Sequence, residues 1–276
     1  MTEYDLEPKI ARQELSADVI TNRARAAEEY EHFEAILRPR VDAHVATYGM
    51  ALDVLAGFHQ QLADTLDFDV TGDTRQAAVW QMSGRCVGLA RALLYLVRVG
   101  FCAESIPTAR ALHEADRLLD AFADPDEDEL LRQWLRDSDW IPPREARKAR
   151  ARIEEKLDEA MRDAGVPPIR QTVDLSSDLY GNLSKAGHHR RPWVADAVSV
   201  PLRQMATGPH PDPVRRAGYV EWAGHVIEEA VQTVGDAFVR FYGAGFFMKQ
   251  IAPLVTSFKA IREAQPLSPE VLRDLR

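Results

Sequence analysis

Residues 75–99, RQAAVWQMSGRCVGLARALLYLVRV, form the stretch of sequence that decides the predicted fold. Apolar side chains recur in this stretch at steps of three and four residues and surround the helix axis, which is typical of a buried helix. The most apolar part, from Cys86 to Cys102, contains Arg91 and Arg98 and is too short and too charged to span a bilayer. We therefore expect a central, buried helix in a protein without a membrane span.

The same periodicity continues on both sides of this helix, and alternating β-branched stretches are nearly absent. These patterns predict an all-α protein, an antiparallel helical bundle. The break at Arg38-Pro39-Arg40 predicts two helices before it and after it, over about residues 16–37 and 41–65, which would form an N-terminal helical hairpin. The predicted organisation is this hairpin extension (1–73), a helical core (74–246) and a C-terminal tail with a short helix (247–276).

Composition restricts the class of protein further. The 276 residues are 46% hydrophobic and 28% charged, which is enough to bury a core, and Cys86 and Cys102 are too few for a disulfide framework. The polar, acidic start of the sequence has no apolar segment typical of a secretion signal, so we expect a cytoplasmic protein. A net charge of -9 disfavours general attraction to nucleic acid.

Two charged patterns have alternative interpretations. Arg91 and Arg98 lie seven residues apart with Tyr95 between them, which predicts a solvated or ion-paired helix edge in preference to a ligand clamp. Residues 144–152 are the most basic part of the chain, but residues 154–159 of the same predicted helix are acidic. A solvated, mixed-charge helix is favoured there, and RNA binding is the alternative.

Metal and cofactor motifs receive little support. A di-iron helical bundle needs paired Glu-x-x-His segments, and only Glu29 to His32 has this spacing. Glu221, His225 and Glu228 or Glu229 share one face of the last long helix and could hold a metal, but the polar edge of a helix is the favoured interpretation. We therefore predict no metal and no cofactor.

Two segments carry the predicted ligand site. Tyr180, Ser184 and His188 follow one another at steps of four residues beside an apolar stripe, so two hydroxyls and an imidazole share a face. Over residues 108–120, the core-facing positions leave four polar residues on the opposite side: Arg110, His113, Glu114 and Arg117. Ile106 shares that side, which suggests a cover, such as the helix at 174–187, and a paired Arg110 and Glu114. The alternatives are plain solvation and a boundary stripe without a ligand.

These two segments resemble a broad bacterial helical family, domain of unknown function 5677, which is similar to HEPN domains. The matching residues are Arg110, Leu112 and Glu114, followed by Leu179, Tyr180, Leu183, Ser184 and His188. The resemblance covers about residues 85–190 and implies a HEPN-like core. HEPN ribonucleases use an Arg followed by a His after four to six residues, and no Arg precedes His188 at that spacing, so the resemblance supports the fold more than this chemistry.

Three functional hypotheses follow. The first is a binding or regulatory protein whose pocket takes an anionic ligand through Arg110, Glu114, Tyr180, Ser184 and His188. The second is a metal-independent ribonuclease of a defence or toxin system, with His188 as the candidate acid–base, Arg110 for phosphate and Arg190 or Arg191 for the RNA backbone. The third is a structural protein that oligomerises without a ligand. Apolar stripes on the last long helix and the predicted hairpin favour a homodimer.

Overall fold

The computed structural model describes residues 17–66, 68–137, 141–163, 198–199, 204–205, 208–243 and 248–267. The helices of these residues are α1 (Ala17–Leu66), α2 (Arg75–Arg98), α3 (Cys102–Ala123), α4 (Asp128–Asp137), α5 (Pro143–Asp163), α6 (Pro213–Tyr242) and α7 (Met248–Ala264). Two short strands, β1 (Val198–Ser199) and β2 (Gln204–Met205), pair antiparallel, with Val198 opposite Met205. The predicted all-α class is confirmed, and this strand pair is a small local addition to it. Within the described helices, none has an apolar run long enough to cross a membrane.

The predicted central helix is confirmed as α2. Thr74 is its N-cap, and the Thr74 hydroxyl accepts a hydrogen bond from the backbone N–H of Ala77. Its apolar positions pack against α1, α3 and α6, and Leu93 and Ala90 are fully buried. Thr74 therefore caps α2 directly before Arg75, the first residue of the predicted stretch. Because three helices surround α2, its apolar residues are buried on several sides of the helix and are not confined to one face.

The predicted N-terminal hairpin is wrong, because α1 is one continuous helix of 50 residues with Pro39 inside it. A proline removes one backbone N–H from a helix and costs about 3 kcal/mol, which favoured a break at this point. Packing offsets that cost, since Phe33 and Leu37 are buried before Pro39 and Tyr48 and Leu52 are buried after it. A hairpin does exist, but α1 forms it with α2.

One apolar core joins the helices. Its members include Leu37 and Leu55 of α1, Leu119 of α3 and Ile227 of α6. The apolar stripe predicted on the last long helix is confirmed, and it is buried inside the protein, so it is not free for a partner. Residues 17–66 share this core with the residues predicted as a separate domain, and the boundary at residue 73 stays a prediction.

A polar relay inside the bundle fixes α7 at the C-terminal end. His44 contacts the Tyr48 hydroxyl through Nδ1 at 2.9 Å and the Gln265 carbonyl through Nε2 at 2.7 Å. Because a carbonyl only accepts, Nε2 carries the proton and Nδ1 accepts from Tyr48. Burial lowers the pKa of His44, which favours this neutral ring. Burial also raises the pKa of Tyr48 to about 12, so its hydroxyl keeps its proton.

The same relay extends into α6. Arg262 of α7 lies beside the Tyr48 hydroxyl, and its Nη2 is 2.6 Å from Glu228 Oε2. Phe258 of α7 packs edge-on against Tyr48 with ring centroids 5.0 Å apart. The Tyr48 ring fits because position 224 is glycine: a Cβ there would lie 2.2 Å from the hydroxyl oxygen. Helices α1, α6 and α7 therefore meet at one tyrosine.

Candidate functional site

The structure describes part of the predicted ligand site. Arg110 and Glu114 lie on α3, one turn apart, and Arg110 Nε donates a hydrogen bond of 2.9 Å to Glu114 Oε1. The couple suggested by the sequence is therefore formed, with both side chains about three-quarters buried (26% and 30% exposed). The proposed companions Tyr180, Ser184 and His188 lie outside the described residues. Arg190 and Arg191 do too. Their grouping with Arg110 stays a prediction.

The polar side of α3 is covered, as Ile106 suggested, and more fully than expected. His113 and Arg117 are buried, although the sequence placed them opposite the core face. The reason is that α5 and α6 both pack against α3, and α5 brings Ala149 and Ile153 to the contact. Plain solvation of this face is therefore wrong for His113 and Arg117.

Beneath this cover lies a network of charged side chains, which we call the buried charge network. Asp120 of α3 accepts hydrogen bonds from Arg150 of α5 and Arg240 of α6. Two turns earlier on α3, His113 Nδ1 is 3.5 Å from Glu229 Oε2 of α6. Asp116 lies between them and hydrogen bonds to Thr233. Each acidic group thus faces a base or a donor from a neighbouring helix, which joins α3, α5 and α6.

Burial separates the pKa values of two carboxyl groups in the network. Burial and the nearby charge of Glu229 raise the pKa of Asp116 well above its usual range. Burial also acts to raise the pKa of Glu229, but the hydrogen bond from His113 and the charges of Arg150 and Arg117 outweigh it, so the net shift is downward. Asp116 therefore favours its neutral form and Glu229 its carboxylate.

Sequence reasoning missed most of this network. It did not name Asp116, Asp120 or Arg240, it named Glu229 only as a candidate metal ligand, and it included Arg150 only in the basic stretch at residues 144–152. A signal was present, because the polar residues of α3 recur at positions 113, 116, 117 and 120, the spacing of one helical face. Their partners come from helices far away in the sequence, and no local pattern pairs them.

The basic helix α5 is paired with acidic groups along its length. Arg152 binds Glu127 through two hydrogen bonds of 2.6 and 2.7 Å, and Lys156 binds Asp126 at 2.7 Å. Lys148 and Arg144 both contact Glu145. The interpretation of a solvated, mixed-charge helix is confirmed, since cations and anions lie together and the side chains of Arg144, Lys148 and Arg152 remain at least half exposed. These paired cations do not form an open stripe for a phosphate backbone.

A different part of the bundle contains a pocket lined by three arginines, two of which form no ion pair with any residue that the structure describes. This arginine pocket has a volume of about 290 Å³ and lies among α1, the end of α2 and the start of α6. Each helix contributes one guanidinium: Arg38 from α1, Arg98 from α2 and Arg216 from α6. Leu37, Val41, Val97 and Val220 supply apolar lining, and Glu34 and Asp42 are the acidic residues.

The backbone around Gly100 positions Arg216. Gly100 has a φ of +85°, a left-handed conformation that favours glycine, and a Cβ there would lie 2.8 Å from Arg216 Cδ. The N–H of His210 donates to the Gly100 carbonyl at 2.9 Å, which holds the approach to α6 against this turn. Arg216 then forms an ion pair with Glu34 of α1. Its Nε is buried without a hydrogen-bond partner.

Arg38 and Arg98 give the pocket its electrostatic character. Both are exposed, and within the described part of the chain neither forms an ion pair or a hydrogen bond. Both arginines of α2 fit the predicted solvated or ion-paired edge, since Arg91 binds Asp53 and Arg98 is exposed. Glu34 pairs with Arg216, so the other charged groups that line the pocket are the guanidinium groups of Arg38 and Arg98 and the carboxylate of Asp42. The pocket therefore has a positive local charge in a chain whose net charge is -9.

The metal alternative finds no support in the described helices. Glu228 is bound by Arg262 at 2.6 Å, so its charge is compensated by a guanidinium. Among the residues that the structure describes, no group of three or more His, Cys, Asp or Glu side chains is arranged to hold a metal ion.

The chain was also compared with known proteins. No family model, no curated protein and no solved structure matches it. The resemblance to domain of unknown function 5677 and to HEPN domains therefore stays a prediction, and the contacts of the described residues carry the functional argument.

Proposed function

We propose that this protein binds a small anionic ligand, one that bears a phosphate or a carboxylate group, in the arginine pocket. The observation that carries the proposal is the convergence on one pocket, beside Arg216, of Arg38 and Arg98, two arginines that form no ion pair within the described part of the chain. Arg38 and Arg98 outnumber Asp42, the pocket carboxylate that no described cation binds, so the pocket has a local excess of positive charge in an acidic protein. An anion is the group that would complete this pocket.

The chemistry of arginine favours such a ligand. A guanidinium is planar and presents its N–H groups as a fork that matches the two oxygens of a carboxylate or phosphate. The volume of about 290 Å³ suits a small molecule rather than a polymer. The start of α6 adds little, because the Asp212 side chain already accepts from the N–H groups of Val214 and Arg215. The arginines therefore supply the recognition.

This proposal keeps the predicted function, binding of an anionic ligand, and assigns it to residues of the arginine pocket in place of the site around Arg110. Arg110, the anion-binding residue predicted from the sequence, already pairs with Glu114, so its charge is compensated. Arg38 and Arg98 have no such partner. A cytoplasmic regulatory role and a homodimer belong to the same proposal. The ribonuclease alternative depends on His188, which lies outside the described residues.

The test is isothermal titration calorimetry at low ionic strength with two probes, inorganic pyrophosphate and citrate. We expect Arg98→Ala and Arg38→Ala each to weaken binding of the preferred probe about tenfold or more, because a hydrogen bond to a charged group contributes about 1.5–3 kcal/mol. Arg91→Ala is the matched control on α2, since Arg91 is exposed but bound to Asp53. Arg91→Ala should change the affinity for the probe less than twofold, which is about the variation expected for a substitution at an independent site.

Arg110→Ala separates the two candidate sites. Binding that survives Arg110→Ala but is lost in Arg98→Ala supports the arginine pocket. The opposite result places the anion at the site predicted from the sequence and overturns our proposal, as does a wild-type protein that binds neither probe. Circular dichroism of each variant checks that the helices remain intact.

A further inference from the structure

The hairpin of α1 and α2 presents an exposed apolar groove. Met50 of α1 and Tyr95 of α2 are 54% and 64% exposed, and they are the large hydrophobic residues that the described part of the chain leaves open to solvent. Both line the same groove, together with Val45, Val54 and Leu94. Single exposed apolar residues are common on protein surfaces, but two such residues across one groove indicate a contact surface.

Charges flank this groove in two rows of opposite sign. Asp42 and Asp53 lie on the α1 side, and Arg91 and Arg98 lie on the α2 side. Asp53 and Arg91 bind each other within the chain, near one end of the groove. Asp42 and Arg98 line the other end, and neither forms an ion pair or hydrogen bond among the described residues. One acidic row and one basic row therefore border an apolar centre.

We infer that a second copy of this chain docks on this groove. A two-fold axis that runs along the hairpin, between two facing copies, places α1 of each copy over α2 of the other. Asp42 then lies opposite the second copy's basic row at the level of Arg98, and Met50 lies opposite Tyr95. The same patch serves on both sides, as a two-fold interface requires. The charge layout selects this occupant, because a surface with one acidic row and one basic row complements itself.

This inference does not depend on the arginine pocket, although Asp42 and Arg98 line both. Tyr95→Ser removes apolar area from the groove and leaves the residues of the pocket unchanged, while Arg38→Ala does the reverse. We expect Tyr95→Ser to raise the dissociation constant of the dimer about tenfold or more, since an exposed aromatic at the centre of an interface contributes strongly to binding. Arg38→Ala should leave the dimer as it is. Light scattering after gel filtration over a range of concentrations measures both.

A charge exchange between copies gives the sharper test. Asp42→Arg places two basic rows opposite each other in its homodimer, and Arg98→Asp places two acidic rows opposite each other, so each variant alone should be monomeric at concentrations where wild type is dimeric. Mixing the two variants restores opposite charges at both positions. Native mass spectrometry should therefore detect a heterodimer in the mixture.

Three results would overturn the inference. The first is a wild-type protein that stays monomeric at every concentration measured, and the second is a dimer that Tyr95→Ser leaves unchanged. The third is a mixture of Asp42→Arg and Arg98→Asp that yields no heterodimer. Because anion binding is measured separately through Arg38→Ala, loss of the dimer and loss of the ligand remain distinguishable.

Discussion

Gly224 determines how closely α6 approaches α1. The Tyr48 ring is fully buried, and a methyl group at position 224 would lie 2.2 Å from its hydroxyl oxygen and 2.4 Å from Cζ. A rigid, enclosed ring has no room to move, so we expect Gly224→Ala to lower the free energy of unfolding by about 3 kcal/mol, the upper part of the range for overpacking. Urea denaturation measures the change.

Gly218 of the same helix provides the control. A Cβ at position 218 meets nothing within 4 Å, so Gly218→Ala should have no steric cost and should stabilise α6 by up to about 1 kcal/mol through helix propensity. Equal effects of the two alanines would contradict the assigned role of the Tyr48 contact.

Asp116 and Asp120 lie one turn apart in the buried charge network, and we expect their substitution by asparagine to change the free energy of unfolding by very different amounts. Asp120→Asn leaves Arg150 and Arg240 without their carboxylate, and breaking a buried pair costs about 3–5 kcal/mol. Burial raises the pKa of Asp116, so the folded protein holds this proton more tightly than the unfolded chain. Asp116→Asn replaces a neutral carboxyl by a neutral amide and should be tolerated.

The sign of the pH dependence follows from that raised pKa. A carboxyl group whose pKa is raised on folding contributes its full stability below the pKa of the unfolded chain, 3.8. That contribution declines as the pH rises towards the pKa of the folded protein. The amide introduced by Asp116→Asn cannot ionise, so this variant should lose less stability between pH 5 and pH 8 than wild type. Urea denaturation of wild type and Asp116→Asn across this range tests the prediction. If Asp116→Asn lowers the free energy of unfolding as much as Asp120→Asn does, the assignment of a neutral Asp116 carboxyl is wrong.

The sequence identified some of these residues and not their partners. The i, i+4 spacing of Arg110 and Glu114 suffices to suggest their pair, because both lie on one helix. Arg98 could not be distinguished from Arg91, since the difference is that Asp53 of α1 reaches only Arg91. Partners on other helices depend on packing, and a local pattern does not contain that information.

Among the elements, α7 is attached by apolar contacts and by one ion pair, that of Arg262 with Glu228. Arg262 binds Glu228 and approaches Tyr48, so Arg262→Ala leaves the partly buried carboxylate of Glu228 without its cationic partner. We expect the backbone amides of α7 to exchange with solvent at least about tenfold faster in this variant, because local opening becomes easier. Hydrogen exchange read by mass spectrometry measures this, with the amides of α2 as an internal reference.

Lys259 supplies the matched control on α7. Lys259 and Glu263 are both exposed, and their charged atoms are 3.8 Å apart, so their pair contributes little. Lys259→Ala should leave the exchange of α7 unchanged. Unaltered exchange in Arg262→Ala would mean that apolar contacts such as Phe258 attach α7 without the relay.

Helix periodicity predicts helices over about residues 75–99, 103–122, 144–164 and 214–242, each within a residue of α2, α3, α5 and α6, because each has a repeated apolar pattern and clear end signals. Pro39 misled the same reasoning. A proline indicates a local cost, and whether the helix continues depends on apolar packing on both sides of it, which comes from α2, α6 and α7. The cost of one hydrogen bond was visible in the sequence, and the packing was not.

At the scale of the whole molecule, both proposals concern places where helices from distant parts of the chain meet. The arginine pocket needs α1, α2 and α6, and the groove needs both sides of the α1–α2 hairpin. Composition predicted a helical protein with a substantial core, because apolar content and periodicity are properties of the whole chain. Convergence of side chains depends on how helices cross, which the sequence expresses only through long-range packing.

The length of α1 has a consequence for its local stability. At 1.5 Å per residue, 50 residues extend about 75 Å, more than the diameter of a compact domain of this size. From Thr21 to His32 the buried residue is Ala26, whereas from Phe33 onward a buried residue recurs nearly every turn. A helical segment that buries few side chains gains little stability from packing, and helices without such support are marginal in water. One unbroken helix therefore combines two thermodynamic regimes, a first part that opens and closes readily and a second part that opens only with the core.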